Sequence, residues 1–131
     1  MKKMRAIHGV RIRRAEAEDA VALAALATQL GYPTTRGEAL RRFRRLSESH
    51  EDAVFVAKTH SEEVIGWVHV SVNHLLESET RAEINGLVVD ERHRSAGAGK
   101  LLLRQAERWA RDHGCSTVNL RSNVIRERAH K

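Results

Sequence analysis

Apolar residues follow two different spacings in the first third of the chain. Residues 10–13 alternate apolar side chains with arginines, which predicts a short strand, β1. Over residues 16–30 the apolar positions recur at helical spacing and end before a glycine, which predicts helix α1. A second amphipathic helix, α2, is expected over residues 35–47, with a cap at Thr34 or Thr35. The expected inward positions are Val21, Leu23, Ala24, Leu26, Ala27 and Leu30 in α1 and Leu40, Phe43 and Leu46 in α2.

The middle of the chain has the pattern of a β-meander. Residues 53–59 and 64–73 are rich in β-branched and apolar side chains and are separated by a polar stretch. This pattern predicts a hairpin of two strands, β2 and β3. A further strand, β4, is predicted at about residues 81–89, after another polar break, and should pair antiparallel with β3.

Helical spacing returns after a basic, glycine-containing loop at residues 92–99. Residues 100–113 predict helix α3, which is stopped by Gly114. Residues 116–121 alternate and predict β5, which should be parallel to β4 because a crossover helix joins the two strands. The element order predicts one domain of the α+β or α/β class, with helices packed on a mixed sheet. In α3 the inward residues should be Leu102, Ala106, Trp109 and Ala110.

The amino-acid composition excludes several classes of protein but does not identify a function. The chain has 131 residues, 41% of them hydrophobic and 31% charged, and this composition is typical of a globular domain rather than a disordered chain. Cys115 is the single cysteine, so no intrachain disulfide can form, and we expect the reducing cytoplasm. No apolar run approaches the roughly 18 residues of a membrane span. The net charge of +6 is compatible with a polyanionic partner. Nucleic-acid binding is nevertheless disfavoured, because only 4% of the residues are aromatic and the sequence has no recognisable nucleic-acid-binding motif.

The loop before α3 has the composition of an anion-binding site. Gly97 and Gly99 allow a ligand to approach the backbone, and the start of a helix offers unpaired N–H groups and a partial positive charge. Arg92, Arg94 and Lys100 add basic charge, so a pyrophosphate suits this position. The mononucleotide P-loop needs a different glycine spacing and a hydroxyl residue, and the dinucleotide fingerprint needs a third glycine.

The same loop carries a family signature. Arg94, Gly97 and Gly99 fill the pattern of Gln or Arg, two residues, Gly, one residue, and Gly or Ala. An apolar run at residues 101–103 follows it, and two helices and a three-strand meander precede it. In these features the chain resembles the GNAT superfamily of acetyl-CoA-dependent N-acetyltransferases over essentially its whole length. The resemblance implies a mostly antiparallel sheet with helices on both faces, and transfer of an acetyl group to a primary amine.

The resemblance also implies a cofactor site without a metal. In the family, β4 pairs with the pantetheine arm of acetyl-CoA and the following loop holds the pyrophosphate. Strands β4 and β5 splay apart to admit the cofactor, and Gly86 beside Asn85 is a candidate for a bulge there or for a packing glycine. The implied cofactor-binding residues are Leu87, Val88, Val89, Arg94, Ser95, Ala96, Gly97, Ala98, Gly99, Lys100, Asn123 and Arg126.

Two further positions are candidates for the acceptor side. Glu83 stands where several family members carry a glutamate that removes the proton of the amine, although it could instead be a strand residue paired with Arg81 or Arg121. Tyr32 lies in the loop between α1 and α2, which borders the acceptor site in the family; alternatively it caps the apolar edge of α1. His69 is expected to be a surface or partly buried strand residue, since no second set of ligands at zinc spacing accompanies it.

Members of the superfamily usually continue beyond the match to residues 126–130. They add a helix, α4, whose tyrosine protonates the departing thiolate, and strands β6 and β7. The sequence stops at Lys131 on a helical pattern without a stop signal, so we expect it to be incomplete rather than truly short. If the protein is truly short, the general acid is missing and the sheet edge near β5 is uncovered. For the chain as given we expect a homodimer or higher oligomer, because that edge is exposed. The acceptor is expected to be a small-molecule or protein amine, and a non-catalytic acyl-CoA-binding module is the alternative to an enzyme.

Overall fold

The fold is a five-stranded sheet with helices packed on it. The computed structural model describes residues 9–121. Its strands are β1 Arg11–Arg14, β2 Asp52–Lys58, β3 Val64–Asn73, β4 Arg81–Val89 and β5 Val118–Leu120, and its helices are α1 Ala20–Leu30, α2 Arg36–Ser47 and α3 Ala98–Asp112. The sheet order is β1-β2-β3-β4-β5; β4 and β5 are parallel and the other neighbours are antiparallel. The mixed α+β class and the predicted pairings of β3, β4 and β5 are confirmed.

The two faces of the sheet bury different helices. Phe55 and its neighbours two positions away along β2 pack in the core that contains α3. Val54 and Val56 point to the other face and pack against residues of α1 and α2. Side chains of a strand alternate between faces, so β2 is buried on both sides. The prediction of helices on both faces is therefore confirmed.

The helix ends follow local capping chemistry. Thr35 accepts a hydrogen bond from the backbone N–H of Glu38, and the Glu38 side chain accepts one from the Thr35 N–H, which fixes the start of α2. Helix α1 begins at Ala20 rather than at residue 16, because residues Ala17–Asp19 form a short 3-10 helix. Val21 is 61% exposed, so its predicted inward position is wrong.

Helix α3 begins two residues earlier than the pattern indicated. Gly97 adopts a left-handed conformation with φ of 86°, and Ala98 is already helical and fully buried. The inward face is as predicted, with Leu102, Ala106 and Trp109 in the core. A second 3-10 helix, Glu91–Ala96, connects β4 to Gly97. No helix within residues 9–121 has both the length and the apolar character needed to cross a membrane.

Candidate active site

A bulge in β4 marks the point at which its outer edge becomes free. His69 pairs with Gly86 across β3 and β4, whereas the next residue, Val70, pairs with Ile84, so Asn85 is the extra residue. On the other side, β5 pairs with β4 only as far as Ile84. Among the described residues, no strand pairs with this edge of β4 beyond the bulge. The backbone groups of that edge are therefore available to an extended ligand.

Gly86 has a packing role at the bulge as well. A Cβ atom at this position would lie 2.8 Å and 2.9 Å from two carbons of the Trp67 ring. The indole Nε1 of Trp67 donates to the backbone oxygen of Leu23 on α1, which fixes the ring over the glycine. Both interpretations of Gly86, beside the bulge and as a packing glycine, thus apply to the same residue.

The start of α3 lies at the far end of the free edge. The N–H of Leu101 is bonded to the Gly97 oxygen at 3.2 Å. The N–H groups of residues 98–100 precede it in the first turn, where no intrahelical acceptor exists, and the helix dipole adds partial positive charge there. A Cβ atom on Gly99 would lie 3.7 Å from Val89, an ordinary contact distance. The free strand edge therefore leads to a helix N-terminus, a position that favours negatively charged ligands.

Asp90 anchors the segment between the strand and the helix. Its N–H donates to the Ile65 oxygen at 2.7 Å, and its carboxylate accepts bonds from the backbone and the guanidinium of Arg92. Burial alone would raise the pKa of Asp90, but the two bonds from Arg92 outweigh it and lower this pKa. The Arg92 guanidinium also lies 3.7 Å from Glu63, so it is engaged by carboxylates rather than mobile in the anion site.

A group of potential metal ligands lies next to this anchor, which the sequence pattern did not indicate. Ligand atoms of Glu63, Asp90 and His93 lie within 4.8 Å of one another. Arg92 forms ion pairs with both acids. The Arg92 guanidinium is already paired with both carboxylates, which accounts for the cluster as an ion-pair network.

A cavity of about 360 Å³ opens between α1, α2 and the sheet. It reaches the bulge at Asn85 and Gly86, so the cavity and the free edge of β4 meet there. Tyr32 is one of the residues that line it. The other lining residues are Leu23, Ala27, Leu30, Thr34, Ala39, Arg42, Phe43, Leu46, Val54, Trp67, His69 and Arg121.

His69 is a partly buried strand residue, as expected, and it also lines the cavity, which the sequence pattern did not indicate. Its Nε2 atom lies 2.8 Å from Oδ1 of Asp52, and both side chains are 21% exposed. The alternation of β3 places His69 on the same face as Trp67, but the partner carboxylate comes from β2, 17 residues earlier. A strand histidine gives no such signal by itself, since the pairing depends on the register of the two strands.

Glu83 is not among the residues that line this cavity. Its carboxylate accepts a hydrogen bond from the Asn73 amide at 3.3 Å. Arg121 bonds instead to the Asn85 side chain, and within residues 9–121 Glu83 forms no ion pair with Arg81 or Arg121. The alternative of an arginine-paired strand residue is therefore wrong for this part of the chain.

The expected cofactor residues fall into three groups. Leu87 and Val89 pack on the side of α3, and Val88 packs against Leu26 and Leu30 of α1, so in this part of β4 only the backbone edge is free to bind. Arg94 and Lys100 are exposed beside the start of α3, together with the partly buried Ala96. Asn123 and Arg126 lie outside the described residues.

Comparison with known proteins identifies the family. Residues 17–131 match the sequence model of the acetyltransferase (GNAT) family. The chain belongs to this family. The fold and the enzyme class inferred from the Arg94, Gly97 and Gly99 signature are thereby confirmed.

Several members are similar along most of the chain. An aminoglycoside N(6')-acetyltransferase type 1 of Stenotrophomonas maltophilia is 29% identical over 123 residues, which cover 91% of this chain and 79% of that protein. Glucosamine-6-phosphate N-acetyltransferase from Arabidopsis thaliana has a TM-score of 0.77 at 22% identity, covering 92% of this chain and 87% of that one. The aminoglycoside N-acetyltransferase AAC(6')-Iy in complex with CoA has a TM-score of 0.77 at 20% identity, covering 92% and 84%. Both structures have the same fold as this chain.

Proposed function

We propose that this GNAT protein transfers the acetyl group of acetyl-CoA to the primary amine of a small molecule by direct attack. The observation that carries the proposal is the meeting of two features at the β4 bulge. The cavity ends at Asn85 and Gly86, and the unpaired edge of β4 begins at the same place and leads to the start of α3. A cofactor bound along the edge would present its reactive end to an amine held in the cavity.

The residues of the edge and of the loop suit CoA because they offer backbone groups and positive potential. Residues 87–89 would bond to the amide-containing arm as an added strand does, through N–H and C=O groups. The N–H groups of residues 98–100 would hold the pyrophosphate, with charge from Arg94 and Lys100. Bound there, acetyl-CoA supplies an activated acetyl thioester. The resemblance adds Asn123 and Arg126 to this set.

Direct attack requires a neutral amine. The amine nitrogen forms a bond to the thioester carbonyl carbon, the carbon–sulfur bond breaks, and CoA leaves as a thiolate. The nitrogen loses its second proton as the amide forms, and a proton from solvent converts the thiolate to the thiol. A typical amine with a pKa of about 10.4 is almost fully protonated at pH 7, so deprotonation costs roughly 4–5 kcal/mol. We assign the removal of the ammonium proton to Glu83. Its partner across the sheet, Ser71, lies two residues along β3 from the cavity residue His69, so Glu83 is on the same face of the sheet. Because its side chain does not line the cavity, it would act through water.

The proposal is tested by measuring CoA release with a panel of amines. The purified chain is incubated with acetyl-CoA, free thiol is detected over time, and the acetylated product is identified by mass spectrometry. A control without amine measures hydrolysis of the thioester. Release that depends on an amine, with the matching N-acetyl product, supports the proposal. Tight CoA binding with no amine-dependent release across the panel would contradict it and favour an acyl-CoA-binding module.

A further inference from the structure

The charge of the cavity walls bears on which amine the protein accepts. Arg42 from α2 and Arg121 after β5 line the cavity, and no aspartate or glutamate of the described residues does so. The remaining walls are largely apolar, with Phe43 and Trp67 as the aromatic contributors. In its described part the cavity is therefore an apolar space with two cationic groups.

Among the described residues, no carboxylate contacts either arginine. Arg42 forms no hydrogen bond or ion pair with the residues 9–121; its nearest acidic neighbour along α2, Glu38, is bonded to the Thr35 backbone in the helix cap. Bonding to Thr35, followed by the charge of Arg42, lowers the pKa of Glu38, so the two interact only through space. Arg121 donates to the neutral amide oxygen of Asn85 at 3.3 Å. Each guanidinium keeps most of its donors for a ligand.

The acidic groups near the cavity are committed elsewhere. Asp52 is paired with His69 at 2.8 Å, and Glu83 accepts a bond from Asn73 at 3.3 Å. A ligand with several ammonium groups would meet two unpaired cations and no lining carboxylate. A ligand with an anionic group would meet guanidinium groups, which bind carboxylate and phosphate through charge-assisted and often bidentate hydrogen bonds.

We propose that the acceptor is a small primary amine that also carries an anionic group, a carboxylate or a phosphate, and that Arg42 and Arg121 bind this group. The apolar walls, including Phe43 and Trp67, take the body of the molecule. This inference rests on the acetyl transfer proposed above and names its substrate class. It separates this chain from acetylation of aminoglycosides, which carry several ammonium groups.

Matched amines test the inference. Hexylamine and 6-aminohexanoate share an alkyl body and differ in the carboxylate, and glucosamine and glucosamine 6-phosphate differ in the phosphate. The anionic member of at least one pair should have a kcat/KM at least tenfold higher, and the pair that responds identifies the anion. The polycation kanamycin should be a poor acceptor. Equal use of both members of both pairs, or a clear preference for kanamycin, would overturn the inference.

Substitutions assign the effect to the two arginines. Arg42→Gln and Arg121→Gln should each lower kcat/KM for the preferred anionic amine by tenfold or more and leave its neutral counterpart within about twofold. Arg41→Gln is the matched control, because Arg41 is exposed on the same helix and does not line the cavity. An equal loss for both members of the pair would assign the arginines a structural role and overturn the inference.

Binding separates the two proposals. The same pairs are titrated calorimetrically into the protein in the presence of CoA, which requires no turnover. Preferential binding of an anionic member that is lost in Arg42→Gln supports the anion site even if no acetylation occurs, in which case only the acetyl transfer fails. Turnover of neutral amines with no anionic preference in binding would overturn the anion site alone.

Discussion

The Nε2 atom of His69 lies 2.8 Å from Oδ1 of Asp52, and the histidine ring forms part of the cavity wall beside Gly86. The carboxylate thus fixes the orientation of a side chain in the cavity wall beside the bulge. A second histidine–carboxylate pair, between His74 and Glu51 at 2.6 Å, lies just beyond the end of β3 and does not line the cavity. Both pairs join a histidine to a carboxylate, but only His69 lines the cavity, so a substitution of His74 can serve as the control for one of His69.

His69→Asn should raise the KM for the acceptor by roughly tenfold, because a wall group worth about 1–1.5 kcal/mol of contact is removed. The KM for acetyl-CoA should change by less than about twofold, since His69 is on β3 and not on the free edge of β4. Steady-state kinetics with each substrate varied in turn measure both values. His74→Asn is the control, and an equal effect of that variant, or a parallel rise in the KM for acetyl-CoA, would contradict the assignment.

Glu83→Gln should lower kcat by roughly 100-fold near pH 7 while CoA affinity stays nearly constant. The loss should shrink as the pH rises towards the pKa of the acceptor amine, because a neutral amine needs no proton acceptor. A pH–rate profile of the variant beside that of Glu79→Gln, an exposed control in the preceding loop, measures this. A profile that overlays the unmodified protein at every pH would leave Glu83 with a structural role. A pH-dependent loss in His69→Asn instead would make His69 the proton acceptor.

Asp19 should stabilise the fold at neutral pH and lose that contribution in acid. Its buried carboxylate bonds to both guanidinium nitrogens of Arg13 and to the Glu16 N–H. Burial acts to raise the pKa of Asp19, but these bonds outweigh it and lower the pKa. A depressed pKa means that the stabilisation is present above the unfolded pKa of about 3.9 and disappears as the pH falls through the folded value.

Asp19→Asn should therefore lower the free energy of unfolding by about 2 kcal/mol at pH 7, with a smaller difference below about pH 4. Urea unfolding at both pH values measures it. Glu18→Gln, an exposed change next to Asp19, should have little effect at either pH. A loss for Asp19→Asn that is the same at pH 7 and pH 3 would mean that the charge of the carboxylate is not what stabilises the fold.

The order of elements and the position of the glycine-containing loop before α3 could be predicted because both are local in sequence. Helical spacing, the Thr35 cap and the glycines near residue 97 each act within a few positions. The exposure of Val21 shows the limit of this approach. Apolar spacing marks a helical face, but the neighbouring elements decide how far around the helix that face is covered.

The cavity between α1, α2 and the sheet could not be predicted, because it depends on the pairing of strands that are distant along the chain. Asp52 reaches His69 through the β2–β3 register, and Trp67 covers Gly86 through the β3–β4 register with its bulge. Arg42 illustrates the same point, because one arginine of a basic run points to the cavity while its neighbour Arg41 does not line it. Tertiary packing, rather than the local sequence pattern, determines which of several similar residues lines the cavity.

The central claim is that CoA binds along the free β4 edge with its pyrophosphate at the start of α3. Gly99 is the second residue of α3, and Gly37 is the second residue of α2. A Cβ at Gly37 meets nothing within 4 Å, and one at Gly99 meets only Val89 at 3.7 Å. A glutamate in the first turn of a helix is compatible with the helix dipole, so both Gly99→Glu and Gly37→Glu should fold.

Calorimetric titration of CoA into the unmodified chain and these two variants is the most direct test of the claim. We predict that one CoA binds per chain. Gly99→Glu should reduce the CoA affinity by roughly 100-fold or more, because a carboxylate then lies where the N–H groups would meet phosphate. Gly37→Glu should leave the CoA affinity within about twofold of that of the unmodified chain. Unchanged CoA affinity in a folded Gly99→Glu variant, or an equal loss in both variants, would contradict the placement of the cofactor at this helix.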